Sequence, residues 1–200
     1  ANNTPFKSTS INENPKSQDF PKEMGYSLFD NNRSTRIYEL IESYEKIDFS
    51  DFKSIKFDYK YPTPFTFNFV DVNEIMEMNP DDYPDISDLI IEIQNWDRST
   101  SSDSLGAGIF AIFYYNLRKY IRKPYINRNL SKNLIAQMLR DVKAYMVKHF
   151  NKTNVRLGEY QKLVRADKEI PIWGMPDVIT AMTSSRHVDG KRKITHGESY

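Results

Sequence analysis

The sequence predicts a mainly α fold with some β structure, an α+β chain. Two observations carry this. Between residues 34 and 150, four stretches place apolar residues at helical spacing behind capping residues. After Asn151 that spacing gives way to short apolar pieces punctuated by Gly158, Pro171, Gly174 and Pro176, with an Asp-Gly turn at 189–190. The expected order is therefore an irregular region over 1–30, a helical region over 31–151 and an extended, hairpin-bearing region over 152–200. Together they make one domain, read as truncated.

Residues 1–30 are irregular because Asn2, Asn3, Pro5, Asn12, Asn14, Pro15, Pro21 and Gly25 break every periodicity. The first helix is expected at about 34–46, with Ile37, Leu40, Ile41 and Tyr44 on one face and Asp30 or Ser34 as its cap. Residues 48–70 alternate aromatic and polar residues around Pro62 and Pro64. They read either as short strands or as a helical turn followed by an extended run. A second helix is expected at 85–96, capped by Asp85 or Ser87 and striped by Ile86, Leu89, Ile90 and Ile93. Asp103 is the expected cap of a third, at 103–122. Its IFAIFYY core is apolar nearly all round, which suits a central helix. Pro124 stops it. Ser131 caps a fourth at 131–150, with Ile135, Met138, Leu139, Val142 and Met146 on one side. Short strands follow, and HVDGKRKIT reads as a hairpin near 184–196.

Composition narrows the function. The chain has 200 residues, net charge +1 and no cysteine. A balanced charge gives no support for nucleic acid, which usually demands a basic face. The lack of Cys removes thiolate nucleophiles, disulfides and cysteine-ligated metals. No apolar run approaches the ~20 residues of a membrane span. The 13 Tyr and 12 Phe supply the apolar area that a 39% hydrophobic fraction otherwise leaves modest. His149, His187 and His196 lack metal-ligand spacing and read as surface or hairpin histidines. Asp81, Asp82, Asp85 and Asp88 lack the glycine and spacing of a calcium loop, and Asp85 and Asp88 suit a helix first turn. Lys191-Arg192-Lys193 reads as a solvated hairpin rather than a phosphate site. Phe65, Phe67 and Phe69 read as core, with an acyl-chain pocket as the alternative. No complete catalytic set is visible, so the chain is either a binding module or part of an enzyme.

Three stretches, taken together, resemble the penicillin acylase (penicillin amidase) family of N-terminal-nucleophile hydrolases, in particular its acyl-homoserine-lactone acylase-like branch. The opening ANNTPF is similar to the family's N-x-N-(S/T/D)-x-P segment, in which an Asn helps form the oxyanion hole. That role falls on Asn2, or on Asn3 if the register shifts by one. NNRSTRIYELIE, residues 31–42, resembles a family helix start in which Arg33 matches an arginine that positions the nucleophile region. WDRSTSSDSLGAGIF, residues 96–110, resembles the run that opens a long buried helix. Trp96, Asp97 and Asp103 carry packing and capping there, not catalysis. RLGEYQKLVRADKEIPIWGMPDV and DGKRKITHGESY resemble later family segments.

The resemblance implies an internal fragment of the β-chain of a larger αββα acylase. The opening residues agree, since they read as the interior of a longer chain. In such an enzyme the precursor is exported to the periplasm or secreted and cleaves itself. The new N-terminal Ser is the nucleophile and its α-amino group the base. An Asn amide aimed at the oxyanion contributes about 3–4 kcal/mol. The nucleophile would lie outside these residues, so the isolated segment is expected to be inactive. No cofactor or metal is implied. The implied partners are an N-acyl small-molecule substrate, such as an acyl-homoserine lactone or a penicillin-type amide, and the remainder of the acylase: the α-chain and the rest of the β-chain. The rival reading is a non-enzymatic helical protein-interaction module.

Overall fold

The computed structural model describes residues 4–9, 13–28, 30–65, 67, 70–120, 129–178 and 186–194. These form helices α1 (Asn32–Glu42), α2 (Phe49–Lys56), α3 (Ser87–Gln94), α4 (Leu105–Tyr120), α5 (Lys132–Phe150) and the single turn α6 (Leu157–Tyr160). Strands β1 (Gln161–Arg165), β2 (Lys168–Pro171), β3 (Arg186–Val188) and β4 (Lys191–Ile194) follow. The mainly α, partly β reading holds, with helices first and sheet last.

Helix α4 is the centre. Ala107, Ile109, Phe110, Ala111, Ile112, Phe113 and Leu117 are all buried, as the all-round apolar pattern requires. It packs on α3, α5 and α6. Its entry is capped by Ser104, whose Oγ accepts from Ala107 N at 3.1 Å. The expected cap, Asp103, instead stands in solvent opposite Arg156. Gly108 faces a backbone: a Cβ there would lie 2.0 Å from the Val155 carbonyl oxygen. That proximity lets the chain returning at 155–158 lie along α4, where Leu157 N donates to Ser104 O and Gly158 N to Ser102 O.

The aromatic residues upstream complete the core. Tyr61, Phe65, Phe67, Trp96 and Phe110 form one cluster, with Phe65 stacked on Phe110 at 4.9 Å. Trp96 Nε1 donates to Ser99 O at 2.8 Å, so the ring is buried with its polar edge satisfied. Arg98, at φ 63°, lays its guanidinium 4.2 Å over the Phe65 ring.

Two elements differ from expectation, and the ambiguous region 48–70 takes the second of its two readings, a short helix followed by a non-helical run among the described residues. The ambiguous region 48–70 begins with α2, started by a capping box in which Asp48 accepts from Asp51 N and Asp51 from Asp48 N. Phe49, Phe52 and Phe57 are exposed, so their alternation reflects no buried sheet face. Helix α3 starts after a turn, with Ile86 at its cap position and no capping side chain. Asp85 pairs with Arg140 and Asp88 with Lys143, tying α3 to α5. On α1, the stripe Ile37, Leu40, Ile41 and Tyr44 is covered only in part, and Ile41 is exposed.

The sheet order is β2-β1-β4-β3, with β1 and β4 parallel and the outer pairs antiparallel. The Asp-Gly hairpin is present, with Asp189 at φ 51° and Gly190 at φ 73° as the two central residues between paired Val188 and Lys191. Both therefore adopt the left-handed conformation of a type I′ turn. The Lys-Arg-Lys run is not uniformly solvated. Arg192 points inward, buried, donating to Gln161 Oε1 at 2.6 Å and lying 4.2 Å over Tyr115. Lys191 and Lys193 point outward to Glu169. Among the described residues no helix is long and apolar enough to cross a membrane.

Candidate functional site

Residues 4–9 form an ordered turn. Thr4 is buried, its Oγ1 accepting from Phe6 N at 3.3 Å. Ser8 Oγ donates to Pro5 O at 3.0 Å. Asn14 acts as a clamp: its Oδ1 accepts from Ser8 N and Thr9 N at 2.8 and 2.9 Å, and its Nδ2 donates to Thr9 O. The Phe6 ring meets Tyr26 edge-on at 4.7 Å, and Tyr26 OH in turn donates to Ser17 O and Phe20 O. Short 3-10 turns at Ser17–Asp19 and Lys22–Met24 give the irregular region local structure. Asn-rich and Pro-rich composition hid this, because the side chain of Asn14 substitutes for backbone ladders.

This turn is fastened to α1. Lys7 Nζ lies 3.0 Å from Asp30 Oδ2, and Tyr38 OH donates to Lys7 O. Helix α1 is capped by Asn31, whose Oδ1 accepts from Ser34 N at 2.8 Å, rather than by Asp30 or Ser34. Asn32 is fully buried. Its N–H and Nδ2 both donate to Asp177 Oδ2, at 3.0 and 2.9 Å. Asp177 stands at φ 67°, a left-handed conformation that Asp tolerates better than most residues. Burial raises the pKa of its carboxyl, opposed by the two Asn32 hydrogen bonds and the nearby Arg33 charge.

Arg33 sits in the first turn of α1. Its side chain borders a hollow of about 310 Å³ shared with Lys7, Ser8 and Tyr38, next to the turn of residues 4–9. Asp30 is ion-paired with Lys7, and Arg33 makes no ion pair among the described residues. Its electrostatic partner is Asp177. A permanently charged, five-donor group is thus left facing the N-terminal segment. Asn2 and Asn3 lie outside the described residues, as do Phe69 and His196.

The remaining motifs are structural. Asp97 accepts from Ser99 N at 2.9 Å and pairs with Lys60. Phe65 and Phe67 are buried in the core. His149 packs beside Tyr145, and His187 Nε2 lies 2.7 Å from Tyr160 OH. Among the described residues no group of His, Asp or Glu could hold a metal ion. Asp177 is the residue that sequence reasoning missed. Its signal, a lone Asp after Pro176, is too weak to find its partner 145 positions away.

No curated protein matches this chain. The penicillin amidase family model matches it over residues 6–200, taking in the turn after Asn2, the Arg33 helix start, the Trp96 run and the terminal sheet. On that match the chain belongs to the penicillin amidase family of acylase-type hydrolases.

Proposed function

We propose that the chain is a segment of the β-chain of an exported amide hydrolase that removes the acyl group from N-acyl substrates, either acyl-homoserine lactones or penicillin-type amides. The nucleophile is an autoprocessed N-terminal Ser outside these residues. Asn2 stabilises the tetrahedral oxyanion, and Arg33 positions the nucleophile region. The isolated segment hydrolyses nothing. The observation that supports this most is the setting of Arg33, without an ion pair among the described residues and beside the turn of residues 4–9.

The test is to express the complete reading frame and determine the mass and N-terminal sequence of the purified product. Two chains, the larger headed by Ser, support the reading. Within that protein, Asn2→Ala lowers kcat by about 10²–10³. A single uncut chain overturns it. The exposed Phe49, Phe52 and Phe57 around α2 are the observation that would then favour the interaction-module reading. In the acylase reading the same face is where the remainder of the enzyme packs.

A further inference from the structure

The outer face of the sheet gathers cations that its acids do not cover. Lys162 on β1 is in register with Lys193 on β4, so the two side chains rise from one face. Lys191, two positions before Lys193, shares that face, while Arg192 between them turns into the core. Glu169 on β2 joins them, because it is in register with Val164, two positions after Lys162. In the sequence Lys191 and Lys193 read only as a solvated hairpin. The parallel pairing of β1 with β4 is what sets a third lysine beside them.

The acids within reach are already filled. Glu169 Oε1 takes Lys193 Nζ at 2.6 Å, and its Oε2 takes Lys191 Nζ at 3.3 Å. Glu159 Oε1 takes Lys152 Nζ at 2.6 Å, and its Oε2 accepts from Arg156 N at 2.9 Å. Asp189 acts on Lys193 through its charge. Lys162 is partly buried and makes no hydrogen bond or ion pair among the described residues. Burial first, and the Lys191 charge second, push its pKa below the ordinary lysine value, against the pull of Glu169 and Glu159. An anion at Lys162 supplies the missing counter-charge. Nothing has to break for it to enter: an ammonium has three donors, so Lys191 and Lys193 keep some beyond their pairs with Glu169. Lysines act as compact point charges, which suits the several oxygens of a phosphate better than the planar edge of a carboxylate.

We propose that this face of the sheet binds a dianionic phosphate, either inorganic phosphate or a phosphate monoester, with Lys162 as its principal contact and Lys191 and Lys193 as flanking donors. A phosphodiester headgroup carries a single charge and binds more weakly. The inference uses none of the acylase residues, so it stands or falls separately from that reading.

The test is lysine footprinting on the purified product of the complete reading frame. The protein is trace-acetylated with acetic anhydride at about pH 8, where phosphate is dianionic, and the rate at each lysine is read by peptide mass spectrometry. Inorganic phosphate should slow Lys162 about five-fold, saturating with a Kd of about 1 mM, while Lys60 and Lys143 keep their rates. Methyl phosphate should act alike, and phosphatidylglycerol vesicles at equal phosphate should protect far less. Lys191→Gln should raise the half-protecting concentration about three-fold. Equilibrium dialysis with radiolabelled phosphate gives an independent count, in which Lys162→Gln loses one phosphate per chain. Lys162 holds no pair, so that variant keeps the fold. No saturation by about 20 mM phosphate, equal protection by chloride at matched ionic strength, vesicle protection as strong as that by phosphate, or an unchanged count in Lys162→Gln overturns the proposal.

Discussion

The contact between Asp177 and Asn32 separates hydrogen bonding from charge in a way that substitution can read. Both donors of Asn32 land on one oxygen, Oδ2, at 3.0 and 2.9 Å. Asp177→Asn places an amide oxygen at the same position and keeps both acceptor contacts. It also suits φ 67°, since Asn is the other residue enriched there. Asp177→Ala strands two donors on a buried residue, at about 1–2 kcal/mol each, for a loss of about 2–4 kcal/mol. The sign of the charge effect follows from the pKa, which burial raises above its ordinary 3.8. The folded state therefore holds the proton longer than the unfolded state. This group's contribution is fully present below 3.8 and is lost as pH rises through the folded-state value. At neutral pH the ionised carboxylate is a net burden, so Asp177→Asn is at least as stable as wild type. Urea unfolding near pH 4 and near pH 7 reads this, since the gain of Asp177→Asn over wild type grows with pH. If Asp177→Asn loses as much stability as Asp177→Ala, the negative charge at the α1 N-terminus beside Arg33 is what matters, and the argument from acceptor geometry is wrong.

Other consequences are as direct. Gly108→Ala drives a methyl into the Val155 carbonyl, 2.0 Å away, and lowers stability by about 1–3 kcal/mol or abolishes soluble expression. A thermal midpoint equal to wild type would contradict the close packing of α4 on residues 155–158. Asn31→Ala removes the cap of α1 and costs about 1 kcal/mol in denaturant unfolding, whereas Asp30→Ala leaves the cap intact. Phe49 is 81% exposed, and Ile47, Phe52 and Phe57, close to it in the chain, are exposed as well. The isolated chain therefore self-associates, and Phe49→Ser with Phe52→Ser reduces it in sedimentation velocity. A clean monomer at high concentration counts against that face as an interface.

The parts of the fold legible in the sequence were those whose signal is local. The IFAIFYY stretch is buried from Ile109 to Phe113 and partly buried at Tyr114 and Tyr115, and no exposed polar face dilutes its pattern. The Asp-Gly pair declares its turn because a two-residue hairpin requires left-handed backbone at both positions. Ser131 capped α5 as expected. Helix α2 was obscured because its aromatic residues point to solvent, so periodicity there does not report burial; the Asp48–Asp51 box was the better signal. Helix α3 misled in the opposite way, since Asp85 and Ser87 are good caps by type, yet Asp85 is drawn to Arg140. At the candidate site, Arg33 was reached through its helix-start motif. Asp177 was not, because a pair formed across the fold leaves no spacing to read.

That pair also orders events in time. Closing a loop of 145 residues between Asn32 and Asp177 costs roughly 4 kcal/mol in chain entropy, more than two hydrogen bonds return. The contact therefore forms after α3, α4 and α5 have already brought the two ends of the chain together. The first turn of α1, and with it the direction in which Arg33 points, is inherited from a scaffold completed elsewhere. Amides of Asn32 to Thr35 should exchange with solvent through a partial opening that leaves α4 protected. Any process that loosens residues 174–178 then reaches Arg33 without touching it.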